Sequence, residues 1–104
     1  MHKSGDVILT EIQFTDSFET KKRPALILFE EHNNFIVAGI TSNQKMEGIK
    51  LEKKDGAIKE SIIKLNYIFT ISNNMIQKKL FSLNQTKKAL VYEKLKEKLE
   101  QLNT

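Results

Sequence analysis

A β-hairpin is predicted by residues 22–41, which read KRPALILFEEHNNFIVAGIT. The apolar run 24–29 suits a strand buried on both faces. Polar residues follow at 31–34, and asparagine tolerates the left-handed backbone that a tight hairpin turn requires. Residues 35–41 then return as a second apolar strand. The centre of a β-sheet is therefore the first expectation for this fold.

Further strands are predicted on both sides of the hairpin. Residues 6–14 are β-branched and apolar and lead into a polar loop at 15–20. A loop at 43–59 holds a short strand at 49–51, and a turn at 72–74 joins strands at 61–71 and 75–81. This pattern is mainly β with a closing helix, which predicts a small curled sheet or barrel with a helical cap.

The C-terminal segment changes to a helical period. Asn84 is the expected N-cap. An apolar stripe follows at a spacing of three and four residues: Ala89, Tyr92, Leu95, Leu99 and Leu102. We expect this stripe to pack against the sheet, with a role in dimer contacts as the alternative. Lysine and glutamate fill the other face, which is expected to be solvated.

The composition limits the classes of function. A length of 104 residues fits a single domain over residues 1–104. The absence of cysteine excludes disulfides, thiolate nucleophiles and cysteine-based zinc sites. A small domain without disulfides commonly needs a partner subunit, so a dimer is expected. No apolar run predicts a membrane span or a signal peptide, which makes the cytoplasm the default compartment.

Positive charge points to a polyanionic partner. The net charge is +4, and Arg23, next to the single proline Pro24, is the only arginine among 17 cations. His2 and His32 match no metal-binding spacing and are expected on the surface, and no glycine-rich phosphate loop is present. Neither a metal nor another cofactor is therefore expected.

Groups able to hold a phosphate lie near predicted strand ends. Arg23 opens a buried strand, with Lys21 and Lys22 before it, and its planar guanidinium matches a phosphate. Thr41, Ser42 and Asn43 follow the apolar run, either as phosphate ligands or as ordinary turn residues. Lys64 and Asn66 alternate with apolar neighbours, which fits either a half-solvated strand or the polar wall of a cleft.

Four segments, in this order, resemble the MazF/PemK toxin family: GDVIL at 5–9, KRPALIL at 22–28, AGITS at 38–42 and SIIKLN at 61–66. The closing helix also matches. The resemblance implies an SH3-like barrel with a C-terminal helix, a homodimer, and a cognate antitoxin with which such toxins bind DNA. It implies a toxin that cleaves single-stranded RNA without a metal, leaving a 2′,3′-cyclic phosphate and a 5′-hydroxyl.

The resemblance also assigns roles to residues. Arg23 and Thr41 fall on the catalytic positions. Arg23 is expected to neutralise the phosphorane charge and to protonate the leaving oxygen, while Thr41 orients the phosphate or the nucleophile. Loop 15–20 is the expected RNA lid, with Phe14 in the core. The expected RNA contacts are Lys22, Ser42, Lys64, Asn66 and Phe18.

Two positions depart from the family pattern. Asn66 replaces an aspartate proposed to act in acid–base chemistry, and asparagine can neither take nor give a proton. Either Asp6, which matches the opening strand, supplies the base, or Arg23 and Thr41 suffice. Lys64 replaces an arginine and loses its bidentate fork. The alternative function is a non-catalytic barrel module that binds RNA or a protein target, as in a gyrase-inhibiting toxin or an inactive homologue.

Overall fold

A computed structural model describes residues 2–12 and 21–104, with the side chain of Lys21 excepted. Six strands in these ranges form one antiparallel sheet in the order β4-β5-β3-β2-β1-β6. The elements are β1 (Asp6–Ile12), β2 (Lys21–Glu31), β3 (Asn34–Thr41), β4 (Ile49–Leu51), β5 (Ser61–Ser72), β6 (Ile76–Ser82) and α1 (Gln85–Leu99). Single 3-10 turns lie at Lys53–Asp55, Asn73–Met75 and Glu100–Asn103. The predicted mainly β fold with a C-terminal helix is confirmed.

The predicted hairpin is formed by β2 and β3. Its two turn residues, His32 and Asn33, have φ angles of 50° and 66°. Two successive positive φ angles define the type I′ turn, whose twist matches that of the flanking strands. The strand β2 is longer than the predicted 24–29, because its polar start continues the pairing with β1. There Lys22 lies opposite Glu11, and such opposite charges stabilise a cross-strand pair.

The hairpin also carries an irregularity that the sequence did not reveal. Near the turn Phe29 pairs with Ile36, whereas the next pair is Ile27 with Val37. Leu28 is therefore the extra residue of a β-bulge on β2. A bulge of this kind shifts all later pairs by one position and so changes which residues face one another.

The sheet curls upon itself around two apolar clusters. Ile49 and Leu51 of the edge strand β4 belong to the same cluster that Leu80 and Phe81 of the other edge strand contact. A Cβ on Gly56 would lie 2.7 Å from the Phe81 ring, so this glycine lets the loop after β4 approach β6 closely. The expectation of a curled, barrel-like sheet is confirmed.

The helix packs with a different face from the predicted one. Asn84 is the N-cap, since its Oδ1 accepts from the Lys87 N–H at 2.8 Å. The face towards the sheet carries buried Val91 and half-buried Leu95. The other members of the predicted stripe are exposed: Ala89, Tyr92, Leu99 and Leu102. The prediction that the stripe packs on the sheet is therefore wrong, except for Leu95.

Contacts at the start of the helix explain why it turns Val91 and Leu95, and not the whole predicted stripe, towards the sheet. Leu83, directly before it, is buried in the core. Lys87 in the first turn makes an ion pair with Asp55 at 3.3 Å and donates a hydrogen bond to the Lys50 carbonyl at 2.8 Å. The ion pair and the hydrogen bond of Lys87 orient the helix. Both involve polar groups, which a pattern of apolar residues does not include.

Candidate active site

Arg23 and Thr41 lie on neighbouring strands, two residues beyond the last pair that β2 and β3 form. The β2–β3 register pairs Ala25 with Gly39, and extending it by two residues brings Arg23 level with Thr41. Residues opposite one another in an antiparallel pair point to the same face of the sheet. The bulge at Leu28 is what produces this arrangement. A regular hairpin from the same turn would set Arg23 opposite Ser42 and turn it away from Thr41.

The environment of these two side chains is partly closed. Arg23 is half-buried and lies opposite Thr10 of β1. Thr10 is fully buried, and its hydroxyl donates a hydrogen bond to the Met75 carbonyl at 2.9 Å. Thr41 is only 8% exposed. The rigid strands around both residues would hold a bound phosphate in a defined position.

A compact turn orients Thr41. Its Oγ1 accepts a hydrogen bond from the Asn43 N–H at 3.2 Å, and Asn43 Oδ1 in turn accepts from the Lys45 N–H at 3.0 Å. These hydrogen bonds are typical of ordinary turn residues, which is one of the two roles predicted for residues 41–43. They are compatible with phosphate binding, since a hydroxyl that accepts in this way keeps its O–H as a donor. Ser42 is exposed beside Thr41.

Lys22 points away from this pair. It is exposed, and neighbouring residues of a strand alternate between the two faces of the sheet. The structure therefore does not bring Lys22 onto the face shared by Arg23 and Thr41. Phe18, Phe14 and the predicted lid at 15–20 lie outside the described residues.

Lys64 and Asn66 occupy a bulge of β5. Gly39 of β3 pairs with Lys64, and its neighbour Ala38 pairs with Ile68. Residues 65–67 of β5 therefore lie between these two pairs and form the bulge. The predicted alternation holds as far as Leu65, which joins Ile63 in one apolar cluster, but it is wrong beyond the bulge, where Tyr67 and Phe69 pack against the other cluster. Lys64 and Asn66 nevertheless line one cleft of about 330 Å³, together with Lys94 and Lys98 of α1.

Asp6 lies apart from the Arg23–Thr41 pair. It begins β1, four residues before Thr10, which is a separation of roughly 13 Å along a strand. Its buried carboxylate accepts from Ser82 Oγ at 2.7 Å and from the Lys3 N–H at 3.0 Å, and Lys79 Nζ lies 3.6 Å away. These contacts tie β1 to β6 and to the N-terminal segment.

Neither histidine belongs to a group of described residues that could hold a metal ion. Among residues 2–12 and 21–104, no group of three histidine, aspartate or glutamate side chains is placed to hold a metal ion. The side chain of His32 is exposed in the hairpin turn, as expected. His2 differs from the expectation of a surface residue. It is half-buried, with its ring edge-on to Phe35 at 6.1 Å, because apolar contact with the core outweighs full solvation.

Solved structures of MazF toxins share this architecture. The MazF of Deinococcus radiodurans superposes with a TM-score of 0.74 at 15% identity, covering 99% of this chain and 97% of its own. The Mycobacterium tuberculosis toxin MazF-mt6 superposes with a TM-score of 0.69 at 21% identity, covering 86% and 91% respectively. At these identities the likeness establishes the fold, which is that of MazF toxins.

The sequence establishes the family. Residues 3–99 match the family described as PemK-like, MazF-like toxin of type II toxin-antitoxin system. The chain therefore belongs to this toxin family, and a toxin of this kind acts with an antitoxin partner. A comparison with curated proteins finds no match. In the part of the chain that the structure describes, no helix is long and apolar enough to cross a membrane.

Proposed function

We propose that this toxin is an endoribonuclease that cleaves single-stranded messenger RNA without a metal ion. The observation that carries the proposal is the register of β2 and β3, because its continuation beyond Ala25 and Gly39 sets Arg23 and Thr41 on one face of neighbouring strands. The family to which the chain belongs supports the assignment, since the resemblance implies these two residues as its catalytic core. The proposed RNA contacts at the site are Ser42, Lys64 and Asn66, with Phe18 in the loop and Lys22 at the periphery.

The reaction needs little beyond these groups. The ribose 2′-oxygen attacks the adjacent phosphorus, the bond to the 5′-oxygen breaks, and a 2′,3′-cyclic phosphate and a 5′-hydroxyl result. The attacking hydroxyl gives its proton to water, and the leaving oxygen takes one from Arg23, which regains a proton from water. Arg23 stabilises the phosphorane charge and protonates the leaving oxygen, while Thr41 orients the phosphate by donating its O–H. Neither Asn66 nor the remote Asp6 is assigned the role of base.

Cleavage in the presence of excess EDTA tests this proposal. A long single-stranded RNA should yield discrete fragments with 5′-hydroxyl and cyclic-phosphate ends. Arg23→Ala should lower the rate roughly 100-fold or more, because removal of one transition-state donor costs a few kcal/mol. Arg23→Lys should recover only part of the rate, since lysine keeps the charge but lacks the fork.

Lys53→Ala serves as the matched control, because Lys53 is an exposed cation in the 3-10 turn Lys53–Asp55. Its rate should equal that of the wild type. A folded wild-type protein that leaves the RNA intact would argue against the nuclease, and so would fragments formed equally by Arg23→Ala.

The alternative is a non-catalytic barrel module that binds RNA or a protein target such as gyrase. The observation that favours it is Asn66, which cannot perform acid–base chemistry at a position where many family members carry aspartate. In that case RNA would be bound with strong salt dependence but not cut, or inhibition of gyrase would be measured. Replacement of Asn66 by aspartate separates the two functions. It should raise an existing rate of cleavage in a nuclease, whereas cleavage that appears only with aspartate would identify the wild-type protein as an inactive homologue.

We further propose a homodimer formed from a single domain spanning residues 1–104, acting in the cytoplasm. An apolar groove of about 360 Å³ between β2 and α1 supports self-association, with Phe29 and Tyr92 exposed at its rim. The exposed side of α1 also agrees with the alternative role of its stripe in dimer contacts. The antitoxin is expected to cover the RNA-binding surface with a disordered acidic segment. Toxin and antitoxin together are expected to bind DNA.

A further inference from the structure

The cleft beside the β5 bulge is basic. It is lined by Lys64 and Asn66 of β5 and by Lys94 and Lys98 of α1, with Glu47 as the acidic residue of its lining. We call this site the basic cleft. Lys94 and Lys98 are one helical turn apart and therefore project from the same side of α1. The mixed order of lysine and glutamate along the helix hides this local excess of positive charge in the sequence.

Lys64 is a buried cation held by neutral groups. Lys64 is only 7% exposed. Its Nζ donates a hydrogen bond to the Glu47 carbonyl at 2.8 Å and lies 5.3 Å from the centre of the Tyr67 ring. Burying an ammonium is costly unless other groups compensate for the lost water. A carbonyl and an aromatic face supply part of that compensation, and an anion in the basic cleft would supply a full opposite charge.

The basic cleft adjoins the Arg23–Thr41 pair. Thr41 pairs with Ile62 and Gly39 pairs with Lys64 across β3 and β5. Lys64 is thus the diagonal neighbour of Thr41 on the same face, at a Cα separation of roughly 7–8 Å.

We propose that the basic cleft binds backbone phosphates of the same RNA strand whose scissile phosphate lies at Arg23 and Thr41. Lys94 and Lys98 thereby become RNA-binding residues, and α1 becomes part of the substrate surface. The inference rests on the proposed function for the position of the scissile phosphate. RNA is favoured over an acidic protein because Lys64 of the cleft is the diagonal neighbour of Thr41, and Asn66 can hydrogen-bond to a base edge.

Binding of an uncleavable RNA tests this inference independently of catalysis. The probe is a short single-stranded RNA of mixed sequence that is 2′-O-methylated throughout, and its affinity is measured by fluorescence anisotropy over a range of salt concentrations. The test variant is Lys94→Gln with Lys98→Gln. The control, Lys53→Gln with Lys96→Gln, removes the same charge from lysines outside the cleft. Lys94 and Lys96 match closely, since each is an i,i+3 partner of a glutamate, at 3.7 and 3.6 Å.

Loss of two phosphate contacts should weaken binding roughly 20-fold near 0.1 M salt and should lower the salt slope by about 1.4. The control variant should lose no more than about twofold, because its charges are screened from the RNA. Circular dichroism and thermal melting of both variants establish that each is folded, and glutamine preserves the helix propensity of lysine.

Three results separate the outcomes. Equal losses in both double variants would mean a general effect of net charge and would overturn the inference. Poly-glutamate, titrated against the same variants, is the probe for an acidic protein. If the test variant loses affinity for poly-glutamate but not for RNA, the inference is overturned in favour of an acidic protein at the basic cleft. If the test variant alone loses RNA affinity, the basic cleft is an RNA site, even where unmodified RNA remains uncut and the nuclease proposal fails.

Discussion

At the scale of single residues, Asp6 combines complete burial with a negative charge. Burial raises the pKa of its carboxyl group, but the Ser82 hydroxyl, the Lys3 N–H and the positive charges of Lys79 and Lys3 lower this pKa by more. The net pKa therefore lies below the ordinary value of 3.8. A carboxylate held in this way stabilises the fold in its ionised form and is poorly suited to take a proton during catalysis.

The pH dependence of stability follows from this direction. Because the pKa is lower in the folded state than in the unfolded state, the stabilisation by Asp6 is fully present above the unfolded pKa and is lost as the pH falls through the folded one. We expect Asp6→Asn to lower the free energy of unfolding by about 1–3 kcal/mol near neutral pH. The difference from wild type should shrink below about pH 4.

Urea unfolding at a series of pH values measures this difference. Glu30→Gln is the control, since Glu30 is exposed and its substitution should change stability by less than about 0.5 kcal/mol. A deficit of Asp6→Asn that stays constant down to acidic pH would show that the charge of Asp6 does not stabilise the protein.

Also at this scale, the residue types of the candidate site were visible in the sequence, but their spacing in the fold was not. The single arginine Arg23, and Thr41 at a strand end, were identified from chemistry and from the family resemblance. Their common face depends on the bulge at Leu28, and a regular hairpin would have separated them. A bulge of this kind arises from the packing of the whole sheet, so the local pattern does not encode it.

At the scale of secondary-structure elements, local signals were predicted well and tertiary ones were not. The hairpin turn within residues 31–34 and the cap at Asn84 depend on residues close in sequence, and both were predicted. The bulge at 65–67 and the rotation of α1 depend on contacts with distant strands. The ion pair between Lys87 and Asp55 is one example, since it joins residues far apart in the chain.

The rotation of α1 leads to a contrast between two substitutions. Val91 is 6% exposed within the core cluster, whereas Leu99 is 55% exposed. We expect Val91→Ala to cost roughly 2 kcal/mol, because it leaves a cavity in the core. Leu99→Ala should cost less than about 0.5 kcal/mol, as do most surface substitutions.

Chemical denaturation at several protein concentrations checks both values, since a contact made only within a dimer would depend on concentration. A larger loss for Leu99→Ala than for Val91→Ala at low concentration would support the orientation predicted from the apolar stripe instead.

At the scale of the whole molecule, the sheet and the helix leave apolar surface uncovered on more than one side. Phe29 and Tyr92 line the groove between β2 and α1, and Ile58 lies at another apolar cleft, 87% exposed. Exposed apolar patches on a small protein commonly mark a contact with a partner. The two surfaces can be distinguished because each offers a large apolar side chain for substitution.

We expect Phe29→Lys with Tyr92→Lys to convert a dimer to a monomer, because four lysines would face each other across a symmetric contact at the groove. Sedimentation equilibrium over a range of concentrations measures the change. Ile58→Lys should leave the dimer intact. The opposite pattern would assign the dimer contact to the cleft at Ile58, and a wild-type monomer at every concentration would exclude the proposed homodimer.

Because of the bulge at Leu28, the loss of one residue has different effects in the two strands of the hairpin. Because Leu28 is surplus to the pairing, β2 can lose one residue there and keep Arg23 level with Thr41. The strand β3 holds no such surplus between the turn and Gly39. Losing a residue from that stretch would bring Ser42 level with Arg23 and turn Thr41 to the other face. On the proposed function, a single-codon deletion in β3 would therefore separate the catalytic pair, whereas deletion of Leu28 would preserve it.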